Sequence, residues 1–207
     1  FGLGLDFSTP HGSLIVDIGA GTTDVAVISM GDISVCNSFK TASYDIDAQI
    51  MRYVRKEFNI EIGQLTAESI KIKVGTAVER DVEIAVIAKG RNVFTGLPES
   101  FEITSSEVYE AIRDTIDTIC NAIRGVLNKP DPDLVADIMA DGMYLAGGGS
   151  QLLGFPQKIS EYLGIEVHHL SDPAHSVVRG AAVALKNSDL LKNVDYQMRS
   201  IKELEIE

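Results

Sequence analysis

The sequence predicts a mixed α/β fold, because three kinds of segment follow one another along the chain. Apolar and alternating segments between residues 14 and 40 predict an antiparallel meander of strands joined by short turns. Helical spacing of apolar residues dominates from residue 44 to residue 130, with a hairpin inside this region. A strand, a run of glycines and a helix follow between residues 143 and 163. We therefore expect a strand meander, an inserted helical and hairpin segment, and a closing strand, glycine turn and helix.

Strand and helix periods define the elements of the first half. Strands are predicted over residues 14–16, 25–30 and 33–40. Helices are predicted over residues 44–58 and 64–74. Alternating Val82, Ile84 and Val86 predict a further strand. Residues 89–92, with the sequence Lys-Gly-Arg-Asn, predict a hairpin turn, from which a return strand begins at Val93.

A capping signal opens the second half. Thr104 followed by Glu107 three residues later predicts the start of a long helix, which Pro130 and Pro132 stop. Beyond it we expect helices over residues 133–139, 155–163 and 176–185. Strands are expected between them, over residues 143–146 and 165–169. The polar residues after them predict a peripheral tail.

The charge of the chain argues against a nucleic-acid-binding surface. A formal net charge of −12 at pH 7 opposes counterion release on nucleic acid and a polybasic membrane patch. Cys36 and Cys120 form no C-x-x-C pair, so we expect reduced thiols in a cytosolic protein. We expect neither a membrane-spanning helix nor a signal peptide. The chain starts at Phe1 without an initiator Met, so we expect a piece of a longer protein.

The turn that follows the first strand has the composition of a phosphate site. Asp17 ends the strand, and the residues Gly19-Ala20-Gly21 let backbone amides approach a phosphate closely. The acid can hold a cation or its water beside that phosphate. No Gly-Lys-Ser/Thr follows, and a strand rather than a helix comes next, which excludes a Walker loop and a Rossmann fingerprint. The alternative interpretation is a glycine-rich hairpin whose polar residues only cap the turn.

Two further groups of residues are candidates for ligand binding. Gly147, Gly148 and Gly149 stand between a strand and a helix, where bare backbone can lie against a flat ligand. A helix-entry turn is the alternative. Glu68 and Lys71 share one face of a predicted helix. In isolation such a pair is more often a solvated surface ion pair.

In their order and spacing these motifs resemble the actin-like, ribonuclease H-like ATPase fold, and within it the MreB family of bacterial rod-shape-determining proteins. Residues 16–25 look like the second phosphate loop of that fold, and residues 144–150 look like its adenosine loop. The MreB branch is favoured by the segments 62–71 and 96–98, by Asp172-Pro173 and by Gly180-Ala181. The similarity runs from about residue 5 to residue 186.

The resemblance implies a domain organisation. An ATPase core would comprise residues 5–44 and 131–186, and an inserted subdomain with its return helix would comprise residues 45–130. Residues 187–207 would form a peripheral tail. The first phosphate loop of the family, its catalytic glutamate and its membrane-binding segment would lie before Phe1, so the chain would carry the second nucleotide-binding domain.

The resemblance also implies ligands and the roles of single residues. The cofactors would be ATP or ADP with Mg²⁺, which Asp17 would hold through water. Thr22 would help to place the attacking water and is therefore the catalytic candidate. Gly19, Ala20 and Gly21 would present backbone amides to the β- and γ-phosphates. Glu68 and Lys71 would contact the ribose and adenine, and Gly147, Gly148 and Gly149 would face the adenosine. The nucleotide-binding residues would also include Thr22, Thr23, Ser150 and Gln151.

The implied function is that of an ATP-binding bacterial actin homologue. Such proteins form membrane-associated filaments in the cytoplasm that direct cell shape and wall synthesis, and intact members are slow ATPases. The expected partners are further copies of the chain and inner-membrane morphogenesis proteins such as RodZ, with membrane contact through the preceding half and no nucleic acid. Two alternatives stay open: a DnaK-type chaperone or sugar-kinase-like ATPase of the same fold, and a domain that binds nucleotide only weakly.

Overall fold

The computed structural model describes residues 2–4 and 10–186, which form eight strands and six α-helices. The predicted tail at residues 187–207 and the first residues of the predicted core, 5–9, lie outside the described residues. Short 3-10 turns stand at Gly148–Gln151 and Pro173–His175. The elements are β1 (Ser13–Ile18), β2 (Thr23–Ser29), β3 (Asp32–Phe39), α1 (Ser43–Phe58), β4 (Ile60–Glu61), α2 (Gln64–Val74), β5 (Ala85–Asn92), β6 (Pro98–Thr104), α3 (Ser105–Leu127), α4 (Pro132–Asp141), β7 (Met143–Ala146), α5 (Phe155–Leu163), β8 (Val167–His169) and α6 (Ser176–Lys186).

The larger sheet has five strands in the order β3-β2-β1-β7-β8. β1, β2 and β3 pair antiparallel, which confirms the predicted meander, whereas β7 is parallel to β1 and β8 is parallel to β7. Leu14, Val16 and Ile18 are fully buried, because alternate residues of β1 face the core. A register shift between Val27 and Ile28 interrupts the pairing of β2 with β3, the edge strand.

Helices α1 and α3 bury much of their surface next to this sheet. α3 contacts β2 and β3, and α1 lies against α3. Their buried residues recur at helical spacing, as Ile46 and Ile50 do in α1 and Ile112 and Ile116 do in α3. These side chains belong to the same apolar cluster as the buried residues of β1 and β7. The division of the chain into a core and an inserted subdomain stays a prediction.

The smaller sheet has the order β4-β5-β6, and its hairpin lies elsewhere than predicted. The predicted turn at residues 89–92 is wrong, because these residues belong to β5 and residues 89–91 pair with β6. The predicted return strand from Val93 is also wrong, since β6 begins only at Pro98. Of the strand predicted at residues 82–86, only Ala85 and Val86 lie in β5.

Two residues explain where the hairpin turns. Oδ1 of Asn92 accepts a hydrogen bond from the amide of Phe94 at 2.8 Å, and the Asn92 carbonyl accepts one from the amide of Gly96 at 2.9 Å. Gly96 has a φ of 72°, which glycine adopts without strain. Gly90 serves a different purpose, because a Cβ there would stand 2.3 Å from Ile60 Cγ2. Its glycine therefore permits the close approach of β4.

The helices begin and end near the predicted positions. Thr104 and Glu107 form the predicted capping box, because Thr104 Oγ1 accepts from the Glu107 amide at 3.3 Å and Glu107 Oε2 accepts from the Thr104 amide at 2.8 Å. α4 begins at Pro132, where the missing amide of proline costs no hydrogen bond. Gly75 ends α2, and its amide donates to the Lys71 carbonyl at 2.9 Å.

The two cysteines are free thiols in different surroundings. Cys36 is exposed on β3, whereas Cys120 is buried in α3. Burial raises the pKa of the Cys120 thiol to about 11, so this thiol stays protonated at neutral pH. In the part of the chain that the structure describes, no helix has both the length and the apolar character needed to cross a bilayer.

The capping box of α3 makes a stability prediction. Replacing Thr104 with Ala removes the acceptor for the Glu107 amide, which we expect to cost about 1 kcal/mol of folding free energy. The melting temperature then falls by roughly 2–4 °C in a calorimetric scan. Ser106→Ala is the matched control, because Ser106 is exposed in the same turn and makes no capping bond in the described structure. Equal melting temperatures for the two variants would contradict the role of Thr104.

Candidate functional site

Two turns leave the larger sheet side by side. β1 and β7 are neighbouring parallel strands, with Asp17 opposite Ala146 at their carboxyl ends. We call residues 17–23, which follow β1, the phosphate turn, and residues 147–151, which follow β7, the glycine turn. Carboxyl ends of adjacent parallel strands are the usual position of ligand sites in α/β sheets. The strand order therefore brings together two motifs that are more than 120 residues apart in the sequence.

The phosphate turn is anchored by its carbonyl groups. The amide of Gly19 donates to the Thr22 carbonyl at 2.8 Å, which closes the turn. The first amides of α1 bind it from the other side, because Ser43 and Tyr44 donate to the carbonyls of Gly19 and Ala20 at 3.3 and 2.8 Å. The tip at residues 20–22 is exposed. Among the described residues no hydrogen bond uses the amides of residues 20 and 21, so these amides are available to an anion.

The two threonines of the phosphate turn differ in exposure. Thr22 is exposed, and its hydroxyl donates to Asp24 Oδ2 at 3.0 Å. Thr23 is fully buried, and its hydroxyl donates to the Thr41 carbonyl at 2.7 Å. The Thr22 hydroxyl is therefore open to solvent. The hydroxyl of Thr23 instead holds the chain that leads into α1.

Asp17 is the acidic residue at the start of the phosphate turn. It is half-buried, and burial followed by the neighbouring Asp24 carboxylate raises its pKa above the ordinary value. A cation next to Asp17 would offset both the burial of its carboxylate and the repulsion from Asp24. Residues 2–4 and 10–186 hold no cluster of three or more His, Cys, Asp or Glu suited to a metal. Asp17 therefore supplies a single carboxylate beside the phosphate turn.

The glycine turn packs against the end of β1. Gly147 has a φ of 85°, and a Cβ there would stand 2.2 Å from the Ile18 carbonyl oxygen. A Cβ on Gly149 would stand 2.7 Å from Ile18 Cγ2. Gly148 is exposed, with its nearest contact 4.0 Å away, so only this glycine presents open backbone. The first and third glycines are thus required by the packing of the two turns.

Ser150 and Gln151, the other two predicted residues of the glycine turn, differ in burial. Ser150 is fully buried, and its hydroxyl donates to the Gly147 carbonyl at 2.7 Å. Gln151 is exposed and lines the cleft described below. The Ser150 hydroxyl therefore fixes the turn, while the Gln151 side chain is free to meet a ligand.

Helix α2 contributes the third wall, and its two predicted residues have different surroundings. Glu68 is partly exposed. Lys71 is buried, and its Nζ lies 2.8 Å from Asp47 Oδ1 and 2.6 Å from Ser43 Oγ. The alternative of a surface pair between Glu68 and Lys71 is therefore wrong, because the partner of Lys71 comes from α1. Burial raises the pKa of Asp47, although the hydrogen bond and charge of Lys71 oppose this effect.

The three walls enclose a cleft of about 420 Å³. It is lined by residues of the phosphate turn, of the glycine turn and of α2, together with apolar side chains that the sequence analysis did not select. Its lining consists of Gly19, Ala20, Ser43, Tyr44, Ile46, Glu68, Lys71, Ile72, Gly75, Gly148, Gly149, Gln151, Leu152 and Leu153. A polar end with free amides and an apolar end suit a phosphorylated ligand with a flat apolar part.

Comparison with known families shows to which proteins this chain is similar. The family model described as MreB/Mbl protein matches residues 1–193. The chain belongs to the MreB/Mbl family. This assignment confirms the resemblance drawn from the motifs, and it favours that resemblance over a chaperone or a sugar kinase.

Individual members of the MreB/Mbl family and more distant proteins agree with this assignment. The cell shape-determining protein Mbl of Bacillus subtilis (strain 168) is 41% identical over 192 residues, which are 92% of this chain and 57% of Mbl. MreB 5 of Spiroplasma citri, solved with AMPPNP, is 34% identical with a TM-score of 0.87, over 93% of this chain and 58% of its own. MamK, solved as a double helical filament, is 21% identical with a TM-score of 0.69, over 84% and 54% of the two chains, a likeness of fold alone.

Two facts follow from these matches to the MreB/Mbl family. The predicted actin-like α/β fold class is confirmed. The chain spans 57% of the length of the Mbl that it matches and 58% of the MreB 5 chain. The activity and the partners of the whole protein are therefore matters for proposal.

The glycine turn makes a prediction with an internal control. Gly147→Ala places a methyl group against the Ile18 carbonyl at a positive φ, so we expect a loss of about 2 kcal/mol or more of folding free energy. Gly148→Ala meets only the Ala174 methyl at 4.0 Å, an ordinary contact distance, and has no positive φ, so its unfolding midpoint in urea stays near that of the parent chain. Equal midpoints for the two variants would show that the packing of the two turns does not require Gly147.

Asp17 makes a prediction about pH. Its pKa is raised in the folded chain, so its ionised form destabilises the fold above that pKa. Asp17→Asn therefore raises the melting temperature of the nucleotide-free chain at pH 7, by roughly 1–3 °C. The difference from the parent chain disappears as pH falls through the folded pKa towards the ordinary value, because the parent aspartate becomes neutral. A difference that is constant from pH 7 to pH 3 would contradict this explanation.

Proposed function

We propose that this chain binds ATP and ADP with Mg²⁺ in the cleft and is the nucleotide-binding part of an MreB-type filament protein. The observation that carries the proposal is the convergence of the phosphate turn, the glycine turn and α2 on one cleft. A protein of the same family supports it, because MreB 5 of Spiroplasma citri has been solved with AMPPNP and with ADP.

In this proposal the phosphate turn binds the β- and γ-phosphates. The free amides of Ala20 and Gly21 donate to phosphate oxygens, and the α1 amides hold the turn in the receptive shape. Asp17 holds Mg²⁺ through water, and the ion supplies charge neutralisation on the phosphates. The exposed hydroxyl of Thr22 orients the attacking water, which makes Thr22 the catalytic candidate of this chain.

The nucleoside then occupies the other end of the cleft. Glu68 accepts hydrogen bonds from the ribose hydroxyls, and the base lies between the open backbone of Gly148 and the exposed side chain of Ile72. Gln151 reaches the ligand from the glycine turn. The buried Thr23 and Ser150 take part only by fixing their turns.

Filament formation is proposed for the whole protein. Relatives in the family are named cell shape-determining proteins, and a protein of the same fold has been solved as a double helical filament. We propose that the whole protein assembles with further copies of itself into membrane-associated filaments in the cytoplasm, where they direct cell shape and wall synthesis. Inner-membrane morphogenesis proteins such as RodZ are the proposed partners. Slow ATP hydrolysis is likewise proposed for the whole protein.

Calorimetric titration of the chain with ATP tests the proposal. We expect binding of ATP and ADP that strengthens when Mg²⁺ replaces EDTA, because the ion neutralises Asp17 and the phosphates together. In Asp17→Asn the gain from Mg²⁺ falls roughly tenfold, which is about 1.4 kcal/mol. Asp172→Asn is the control, since Asp172 is bound to His175 and Arg179 outside the lining of the cleft. An affinity for ATP that neither Mg²⁺ nor Asp17→Asn alters would favour the alternative of a weak, unspecific nucleotide binder.

A further inference from the structure

The ammonium group of Lys71 is buried and fully engaged by α1. Its side chain is 10% exposed and that of Asp47 is 1% exposed. Nζ lies 2.8 Å from Asp47 Oδ1 and donates to Ser43 Oγ at 2.6 Å. It also lies 3.4 Å from the Ser43 carbonyl oxygen. The ammonium thus donates to Ser43 and has Asp47 as its counter-ion. Lys71 therefore lies in the wall of the cleft with its charge directed into the wall.

The residue that Lys71 holds is also the residue that holds the phosphate turn. Ser43 receives the Lys71 bond on its hydroxyl and donates from its own amide to the Gly19 carbonyl at 3.3 Å. Tyr44, the next residue, donates to the Ala20 carbonyl at 2.8 Å. A continuous series of polar contacts thus runs from α2 through the first turn of α1 to the residues proposed to bind phosphate. Glu68 takes no part in it.

We propose that Lys71 is a positioning residue that fixes the first turn of α1, and through it the phosphate turn, in the shape that receives nucleotide phosphates. Asp47 is its counter-ion and sets the direction of the ammonium. The inference rests on the proposed function, and it replaces the implied contact of Lys71 with ribose or adenine. Among the two charged residues of α2 in the cleft, Glu68 alone then faces the nucleoside.

A buried ion pair such as Lys71 with Asp47 need not stabilise the fold. Burying an ion pair costs desolvation that its Coulomb attraction repays only in good geometry, so apolar or neutral replacements of both partners are often tolerated. The pair of Lys158 and Asp117 offers a more exposed comparison, because its atoms stand 2.9 Å apart between α5 and α3, its side chains are 24% and 44% exposed, and neither residue lines the cleft. If the two pairs only stabilise the fold, their removal has the same effect on nucleotide binding.

Binding of two probes by variants of the full chain tests the proposal. The double variant Asp47→Asn/Lys71→Met keeps the volume and leaves no buried charge unpaired, and Ser43→Ala removes only the hydroxyl acceptor. We expect the Kd of Mg-ATP to rise roughly tenfold in the double variant, the size of coupling through a shared network, and less in Ser43→Ala. The Kd of adenosine, followed by NMR titration, changes by less than about twofold because adenosine carries no phosphate. Asp117→Asn/Lys158→Met makes the same two changes at an ion pair outside the cleft, and it leaves both constants unchanged.

Amide hydrogen exchange tests the same proposal without nucleotide. Exchange at Ser43 and Tyr44 becomes faster in Asp47→Asn/Lys71→Met and stays unchanged in the control pair, because only the first variant releases the turn of α1. Equal losses of ATP and adenosine affinity would overturn the positioning role in favour of direct nucleoside contact, and unchanged exchange would overturn it as well. If the parent chain fails to bind ATP, the proposed function fails, and the exchange result alone decides whether Lys71 positions the turn.

Discussion

β1 and β7 pair in parallel, with Asp17 opposite Ala146, and the rest of the site depends on this contact. The pairing places the carboxyl ends of these two inner strands side by side, so the phosphate turn and the glycine turn must pack against each other. Gly147 and Gly149 permit that packing because their missing side chains leave room for the backbone and side chain of Ile18. The cleft then opens between these turns and α2.

Much of the fold could be predicted because its signals are local. Alternation in the meander, the apolar stripe of α3 and the capping box at Thr104 each depend on residues close in sequence. The hairpin of the smaller sheet could not be predicted in this way. Gly90 looked like a turn glycine, yet its purpose is contact with Ile60, some thirty residues earlier. Asn92, placed by the prediction inside the turn, ends the strand and closes the turn that follows it.

The candidate site shows the same limit at the level of single side chains. Residue types and their order selected the three segments that meet at the cleft, but they did not separate residues that face it from residues that support it. Thr23 and Ser150 are buried under their turns, whereas Thr22 and Gln151 are exposed. Asp47 escaped notice because a lone acid on an amphipathic helix usually faces water. Its pairing with Lys71 across two helices has no signature in the spacing of either helix.

The edge of the larger sheet carries one further consequence. Among the described residues β3 is the last strand on one side of this sheet, and a strand in that position can recruit a strand from another molecule. Six of its eight residues are exposed, among them Asp32 and Ser38, and the register shift in β2 bends the strand. A polar, bent border of this kind discourages continuous sheet growth from one molecule to the next.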